Sequence, residues 1–210
     1  MGCFGRIGCL VLGMLVGGLA LAACLATRHA GPSYEDGVYT YNAGGRHKAV
    51  RLSSEAARRF DAKVAGDIPE SRLPEAVLRG VPITEEELNS RVAEELARQP
   101  IEGGDARVER VFIRLRPSGA RAYVYTDVRG VGVVLSSDLV FRLEGGKLEV
   151  ELRDPEAGRL PLGFVLSPAL AAIESRTGLE RTIAVVMPPQ VRAFSYEEGQ
   201  LRVLINPLAR

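Results

Sequence analysis

Arg110–Arg153 reads RVFIRLRPSGARAYVYTDVRGVGVVLSSDLVFRLEGGKLEVELR, and this stretch decides the fold. Val111, Ile113 and Leu115 alternate with Arg110, Phe112, Arg114 and Arg116. Pro117-Ser118-Gly119 turns the chain. Ala122, Val124, Thr126 and Val128 then alternate with Arg121, Tyr123, Tyr125 and Asp127. Beyond Gly130, the apolar residues Val133, Leu135, Leu139, Phe141 and Leu143 share one parity. Gly145-Gly146 supplies a hairpin turn, after which Leu148, Val150 and Leu152 alternate with Lys147, Glu149, Glu151 and Arg153. Period-two alternation in consecutive runs with short turns predicts an antiparallel meander with one apolar face.

Two helices are expected before the meander. Thr84-Glu85-Glu86-Glu87 is a capping box with Thr84 as N-cap and Glu87 at N3, and its acidic turn suits the positive end of the helix dipole. Leu88, Val92 and Leu96 follow at fourth positions, and Pro100 with Gly103-Gly104 ends the run. Earlier, Ser53 or Ser54 caps Glu55–Ala65, with Ala56, Phe60 and Val64 on one face and Gly66 as the stop. Asp67 to Pro74 reads as a turn-rich link and Val77 to Ile83 as extended. After the meander, Asp154-Pro155 with Gly158 is expected to break the sheet. Leu160 to Val165 is extended, and Ser167 caps a helix through Ala169, Leu170 and Ile173, with Leu179 as its furthest member and Arg181–Val186 either extending or ending it. Pro188-Pro189 forces a break. Val191–Tyr196 and Leu201–Ile205 close the chain as a hairpin around Glu197-Glu198-Gly199. The expected class is therefore α+β, a curved antiparallel β-meander packed by two to three helices and preceded by an N-terminal hydrophobic signal or anchor helix.

That preceding segment says where the protein resides. Residues 7–26 carry no charge, which is long enough for a helix to cross a bilayer core. Three readings fit. Leu21-Ala22-Ala23-Cys24 matches a bacterial lipobox at all four positions, with the Cys24 thiol as the lipid attachment point. Leu25 and Ala26 continue the apolar run as an uncleaved signal anchor would. An ordinary signal peptide would be cut near Ala22-Ala23. The lipobox favours export, so the expected location is the extracytoplasmic face, held by acyl chains or a single-pass anchor. Residues 1–26 are the signal or anchor, 27–48 a polar, Gly-rich tether with at most one short strand at Val38–Tyr41, and 49–210 a single α+β domain.

Composition narrows the function. The net charge is +1 and aromatics make up 6% of residues with no Trp, so neither a basic field nor a stacking platform for nucleic acid is expected. All three cysteines lie at or before position 24, which removes disulfides and thiolate metal sites from the folded part. The two histidines, His29 and His47, fall in the expected tether. No nucleophile elbow or phosphate loop occurs. Glu85–Glu87 are explained by capping, and Glu149 and Glu151 by a solvated strand face. Arg110, Arg114, Arg116 and Arg121 form a stripe on the outer sheet face, which either meets lipid phosphates beside a bilayer or is a surface balanced by nearby acids, the reading that the low net charge favours. No catalytic residue, no metal site and no cofactor is expected, and the chain is read as a non-enzyme.

The order of elements carries a resemblance. An early Ser-Ser-Glu-Ala-Ala-Arg-Arg-Phe helix, Ile83-Thr84-Glu85-Glu86-Glu87-Leu88-Asn89 and a meander come first. Gly158-Arg159-Leu160-Pro161-Leu162, Ser167-Pro168, Pro188-Pro189-Gln190-Val191 and Glu198-Gly199-Gln200-Leu201 follow. Over roughly 50–205 this resembles the YpmS-like and LmeA-like groups of phospholipid-binding bacterial envelope lipoproteins. The resemblance implies a long curved sheet wrapped by helices with an apolar interior offered to lipid; it carries no functional residue.

The expected function is an exported, membrane-tethered module that binds a lipid or other amphiphile. The candidate binding face is Val111, Ile113, Leu115, Val124, Leu135, Phe141, Leu148, Val150 and Leu152. The alternative is a structural or adaptor lipoprotein with a closed core that holds an envelope protein complex together. Membrane lipid is the expected partner, and the oligomeric state is open.

Overall fold

The computed structural model describes residues 31–65, 79–103, 106–144, 147–158, 160–161, 182–186 and 191–206. Residues 7–26 with Cys24, His29, the Gly66 stop, the link before Pro74, the Gly145-Gly146 turn, the helix expected from Ser167 and Pro188-Pro189 lie outside them. No helix among the described residues is long and apolar enough to cross a membrane.

The described chain is α+β, mostly antiparallel sheet with two helices. β1 (Ser33–Glu35), β2 (Val38–Ala43) and β3 (Arg46–Arg51) form a first small sheet. Helix α1 (Ser54–Ala65) leads to β4 (Arg79–Thr84) and helix α2 (Glu85–Arg98). The central sheet has β5 (Glu102–Gly103), β6 (Ala106–Arg116), β7 (Gly119–Val128), β8 (Val131–Glu144), β9 (Lys147–Ala157) and β10 (Leu160–Pro161) in sequence order, with β11 (Thr182–Val186) also paired to β9. β12 (Val191–Glu197) and β13 (Gln200–Ile205) join β4 in a third sheet ordered β12-β13-β4. The meander and the closing hairpin thus stand where alternation put them.

Three expectations change. Thr182–Val186, read as extending or ending a helix, is instead strand β11, antiparallel to β9, as its β-branched Thr182, Ile183, Val185 and Val186 favour. From Ser33 onward, the stretch read as a tether is folded. Asp36-Gly37 and Gly44-Gly45 all have positive φ, between 48° and 81°. Such two-residue turns match the twist of the strands they join, so these residues build hairpins and not a spacer. His47 consequently lies in β3 and is exposed. Asp154-Pro155 does not end the sheet either. Asp154 adopts φ 49°, and β9 runs on to Ala157 past an irregularity opposite Ser136 and Asp138. A bulge absorbs the proline because the ladder there is already interrupted.

The helices begin as their caps dictate. The Ala56 amide donates to Ser53 Oγ at 3.1 Å, making Ser53 the cap of α1. The Glu87 amide donates to Thr84 Oγ1 at 3.2 Å, and the Thr84 amide to Glu87 Oε2 at 3.0 Å, which completes the capping box of α2. Thr84→Ala should cost about 1 kcal/mol, with Thr84→Ser near neutral, in urea unfolding followed by circular dichroism. Ala56 and Ala57 are fully buried, but Val64 is 60% exposed, so the apolar face of α1 stops short of its last turn. Ion pairs tie the two helices together. Lys63 Nζ sits 2.7 Å from Glu87 Oε1, and Arg91 Nε 2.9 Å from Asp61 Oδ1.

Candidate functional site

Strand register decides which side chains share a face, because directly opposed residues of an antiparallel pair point the same way. Val111 opposes Val124, which opposes Leu135. Leu115 opposes Ala120, then Leu139, then Leu152. Phe141 opposes Val150, and Leu143 opposes Leu148. With the alternation within each strand, all nine candidate residues lie on one face of the central sheet.

That face is unevenly covered. Leu115 is 1% exposed, while Leu135 is 38% and Leu152 46% exposed. Val111, Ile113, Val124, Phe141, Leu148 and Val150 are half-buried. β12 supplies part of the cover: the Phe141 ring centroid lies 6.3 Å from that of Phe194 and 6.2 Å from that of Tyr196. Burial pushes the Tyr196 phenol up to about 12.

The sealed core is on the opposite face. Phe112, fully buried, meets Tyr39 with ring centroids 4.5 Å apart, Tyr41 at 5.8 Å and Tyr123 at 6.4 Å. Tyr39 also meets Tyr34 at 4.6 Å and Tyr125 at 6.1 Å. The first sheet thus closes over β6 and β7 through aromatic rings. The arginine stripe runs along this same face. Arg110 lies 4.7 Å from the Tyr34 ring centroid and 5.3 Å from that of Tyr125, and Arg114 lies 4.6 Å from that of Tyr41. Guanidinium over an aromatic face is an attractive pairing that lets a charge sit against a core. Further along, Arg116 and Arg121 both reach Asp138, at 2.7 and 3.1 Å, and Arg121 also reaches Ser136 and Glu156. Nearby acids balance these cations as expected, but the face expected to be an outer surface is instead packed against tyrosines.

A polar node joins the three sheets. Glu85, in the first turn of α2, is 4% exposed. Its Oε1 accepts the Leu115 amide at 2.6 Å and its Oε2 accepts the Tyr41 hydroxyl. Its own amide donates to the Gly199 carbonyl at 3.1 Å, and the Gly199 amide donates to the Leu115 carbonyl at 3.0 Å. One turn on, Asn89 accepts the Ile113 amide at 2.6 Å and donates to the Ile113 carbonyl at 2.8 Å. Helix side chains and a hairpin tip therefore stand in for a missing strand along the β6 edge, satisfying backbone groups that would otherwise be buried unpaired. Gly199, at φ 81°, fits this tip tightly, since a β-carbon there would come within 3.0 Å of Lys48 Nζ. Burial raises the Glu85 carboxyl above its ordinary value, against the lowering pull of its hydrogen bonds and Lys48. Burial and the Glu85 contact raise the Tyr41 phenol. Both carboxylate oxygens are occupied, so this group acts as a latch between elements.

Reading the sequence assigned Glu85 to helix capping alone and gave Asn89, Tyr39 and Tyr41 no packing or hydrogen-bonding role. A signal for the tyrosines was present: Tyr39, Tyr41 and Ala43 alternate with Thr40 and Asn42 between two glycine turns. Among the described residues, no group of three His, Cys, Asp or Glu could hold a metal ion. Compared with known proteins, the chain matches no family model and no curated protein.

Proposed function

We propose that this chain is an exported, membrane-tethered module that binds a lipid or another amphiphile on the apolar face of its central sheet, without catalysis. The observation that supports this most is the division of labour between the two faces. The aromatic face is closed by a sheet of its own, while the aliphatic face keeps Leu135 and Leu152 exposed. Aliphatic area left in water is worth about 25 cal/mol per Å² to whatever covers it, and an acyl chain makes no demand for hydrogen bonds. The apolar run at residues 7–26, the Cys24 lipobox and the resemblance to phospholipid-binding envelope lipoproteins agree with this reading.

Native mass spectrometry after gentle detergent extraction tests it. The wild-type chain should carry lipid adducts or take up added phospholipid. A Leu135→Glu, Leu152→Glu double variant should lose most of that uptake while keeping its circular dichroism spectrum. A clean apoprotein that takes up nothing overturns the reading, and a stoichiometric protein partner without lipid would support the adaptor alternative.

A further inference from the structure

The chain enters the fold at a fixed point. Pro32 is buried, and its carbonyl accepts the Tyr125 hydroxyl. Gly31 lies against the same strand, where a β-carbon would come within 2.9 Å of Tyr123 Cδ1 and 3.1 Å of Tyr125 Oη. This clamp sits close to the membrane segment in sequence. Four residues, Thr27 to Ala30, separate it from the end of the apolar run at Ala26. Fully extended, the path from Ala26 to Gly31 covers about 18 Å, and from Cys24 about 25 Å. Along β7 the far end at Gly119 lies six residues from the Tyr125 clamp, about 20 Å, twice as far as the Val128 end. An anchor at residues 7–26 would keep the clamp within about 18–25 Å of the bilayer, and the Val128 end of the sheet is the nearer to the clamp.

Exposed aliphatic side chains lie at that end. Val131, at the β7–β8 turn, is 48% exposed and opposes Val128. Val128 stands three residues from the Tyr125 clamp, about 10 Å along the strand. Ile101 is 59% exposed, and its carbonyl accepts the Val108 amide at 3.0 Å. Val108 opposes Thr126, the residue next to Tyr125. Leu135 continues from Val131 along the aliphatic face. At the other end of β7, Pro117 and Ser118 form an exposed turn with no large apolar side chain.

We infer that the end of the central sheet carrying Ile101 and Val131 docks on the bilayer surface, with these two side chains in the headgroup region. The aliphatic face then opens toward the acyl chains. The inference rests on the membrane tethering proposed above, and it adds an orientation.

The absence of Trp from the chain makes the test clean. Ile101→Trp, Val131→Trp and Ser118→Trp would each place a single indole in the full-length protein. Each variant is reconstituted into phosphatidylethanolamine and phosphatidylglycerol vesicles with or without brominated acyl chains. Bromine should quench the first two reporters at least twofold, with blue-shifted emission, and leave Ser118→Trp unchanged. Equal quenching of all three, or of none, in protein that floats with the vesicles overturns the orientation. Failure to float overturns the tethering and the orientation together. Retained quenching without lipid adducts in the mass spectrum would sink the lipid-holding role and leave the docking in place.

Discussion

Phe112→Ala should lower the unfolding free energy by about 3–5 kcal/mol, the range for truncating a fully buried aromatic. Leu135→Ala should change it by less than about 1 kcal/mol, as a partly exposed aliphatic loses little on truncation. Both residues lie in the same meander, yet they belong to different faces. Phe112 is enclosed by Tyr39, Tyr41 and Tyr123, and it joins the first sheet to the central one. Removing its ring leaves a void that three rigid tyrosines cannot collapse into, and it loosens the surface on which Arg110 and Arg114 stack. Leu135 has no such enclosure. Urea unfolding of the detergent-extracted chain, followed by circular dichroism, gives both values. Equal costs would mean that the aliphatic face is as much a core as the aromatic one. The ligand face would then be filled, and the lipid reading would fail with it.

The meander was legible because its information is local. Each strand alternates, each turn is short, and the register that follows puts Val111, Val124 and Leu135 in one row. What alternation cannot say is which face is sealed. In β6 the aliphatic parity looks like the core and the Arg-Phe-Arg parity looks like solvent, because arginine is read as surface. The aromatics on that parity, Phe112, Tyr123 and Tyr125, outweigh the arginines between them. Arginine can lie flat on a ring and keep its charge paired, so it does not expel a face from the interior.

The helices show a second limit. Leu88, Val92 and Leu96 mark α2 as amphipathic, yet they are only half-buried, and its deepest residues are Glu85, Glu87, Asn89 and Ser90. A hydrophobic pattern assumes that a helix packs by its apolar stripe. Here the N-terminal half of α2 faces the edge of β6 and serves it with hydrogen bonds. No composition rule anticipates that, since the partner groups are backbone atoms some thirty residues away. The first sheet was missed for another reason. Its strands are short and polar on one side, and glycines that fit a spacer equally fit primed hairpin turns. Only the pairing of Tyr39 with Phe112 makes the second choice pay.

Glu85→Ala should destabilise the fold by roughly 2–4 kcal/mol, since it strands the Leu115 amide and the Tyr41 hydroxyl in a buried site. Glu85→Gln should behave differently. A glutamine side chain can still accept from the Leu115 amide, and its NH2 can donate to the Tyr41 oxygen. The comparison with pH isolates the charge. The groups facing Glu85 are Tyr41, Lys48 and Glu198, with Arg114 stacked on Tyr41. Burial sets the folded carboxyl above the ordinary value of 4.5. Between that value and its raised folded one, the native state holds the proton more tightly than the unfolded chain. Stability linked to Glu85 is therefore fully present at low pH and declines as pH rises through the window. Glu87 works in the opposite sense. Burial raises it, but Lys63 and Thr84 outweigh burial and lower it, so its contribution is lost as pH falls. Glu85→Gln keeps the Glu87 dependence and removes that of Glu85. Its stability relative to wild type should thus rise as pH climbs from the ordinary value of 4.5 through the raised folded one and then level off in urea titrations, while Glu85→Ala stays below wild type throughout. A Glu85→Gln curve parallel to wild type would mean that the carboxyl ionises freely in the folded chain, and the latch would have to be read as an ordinary surface contact.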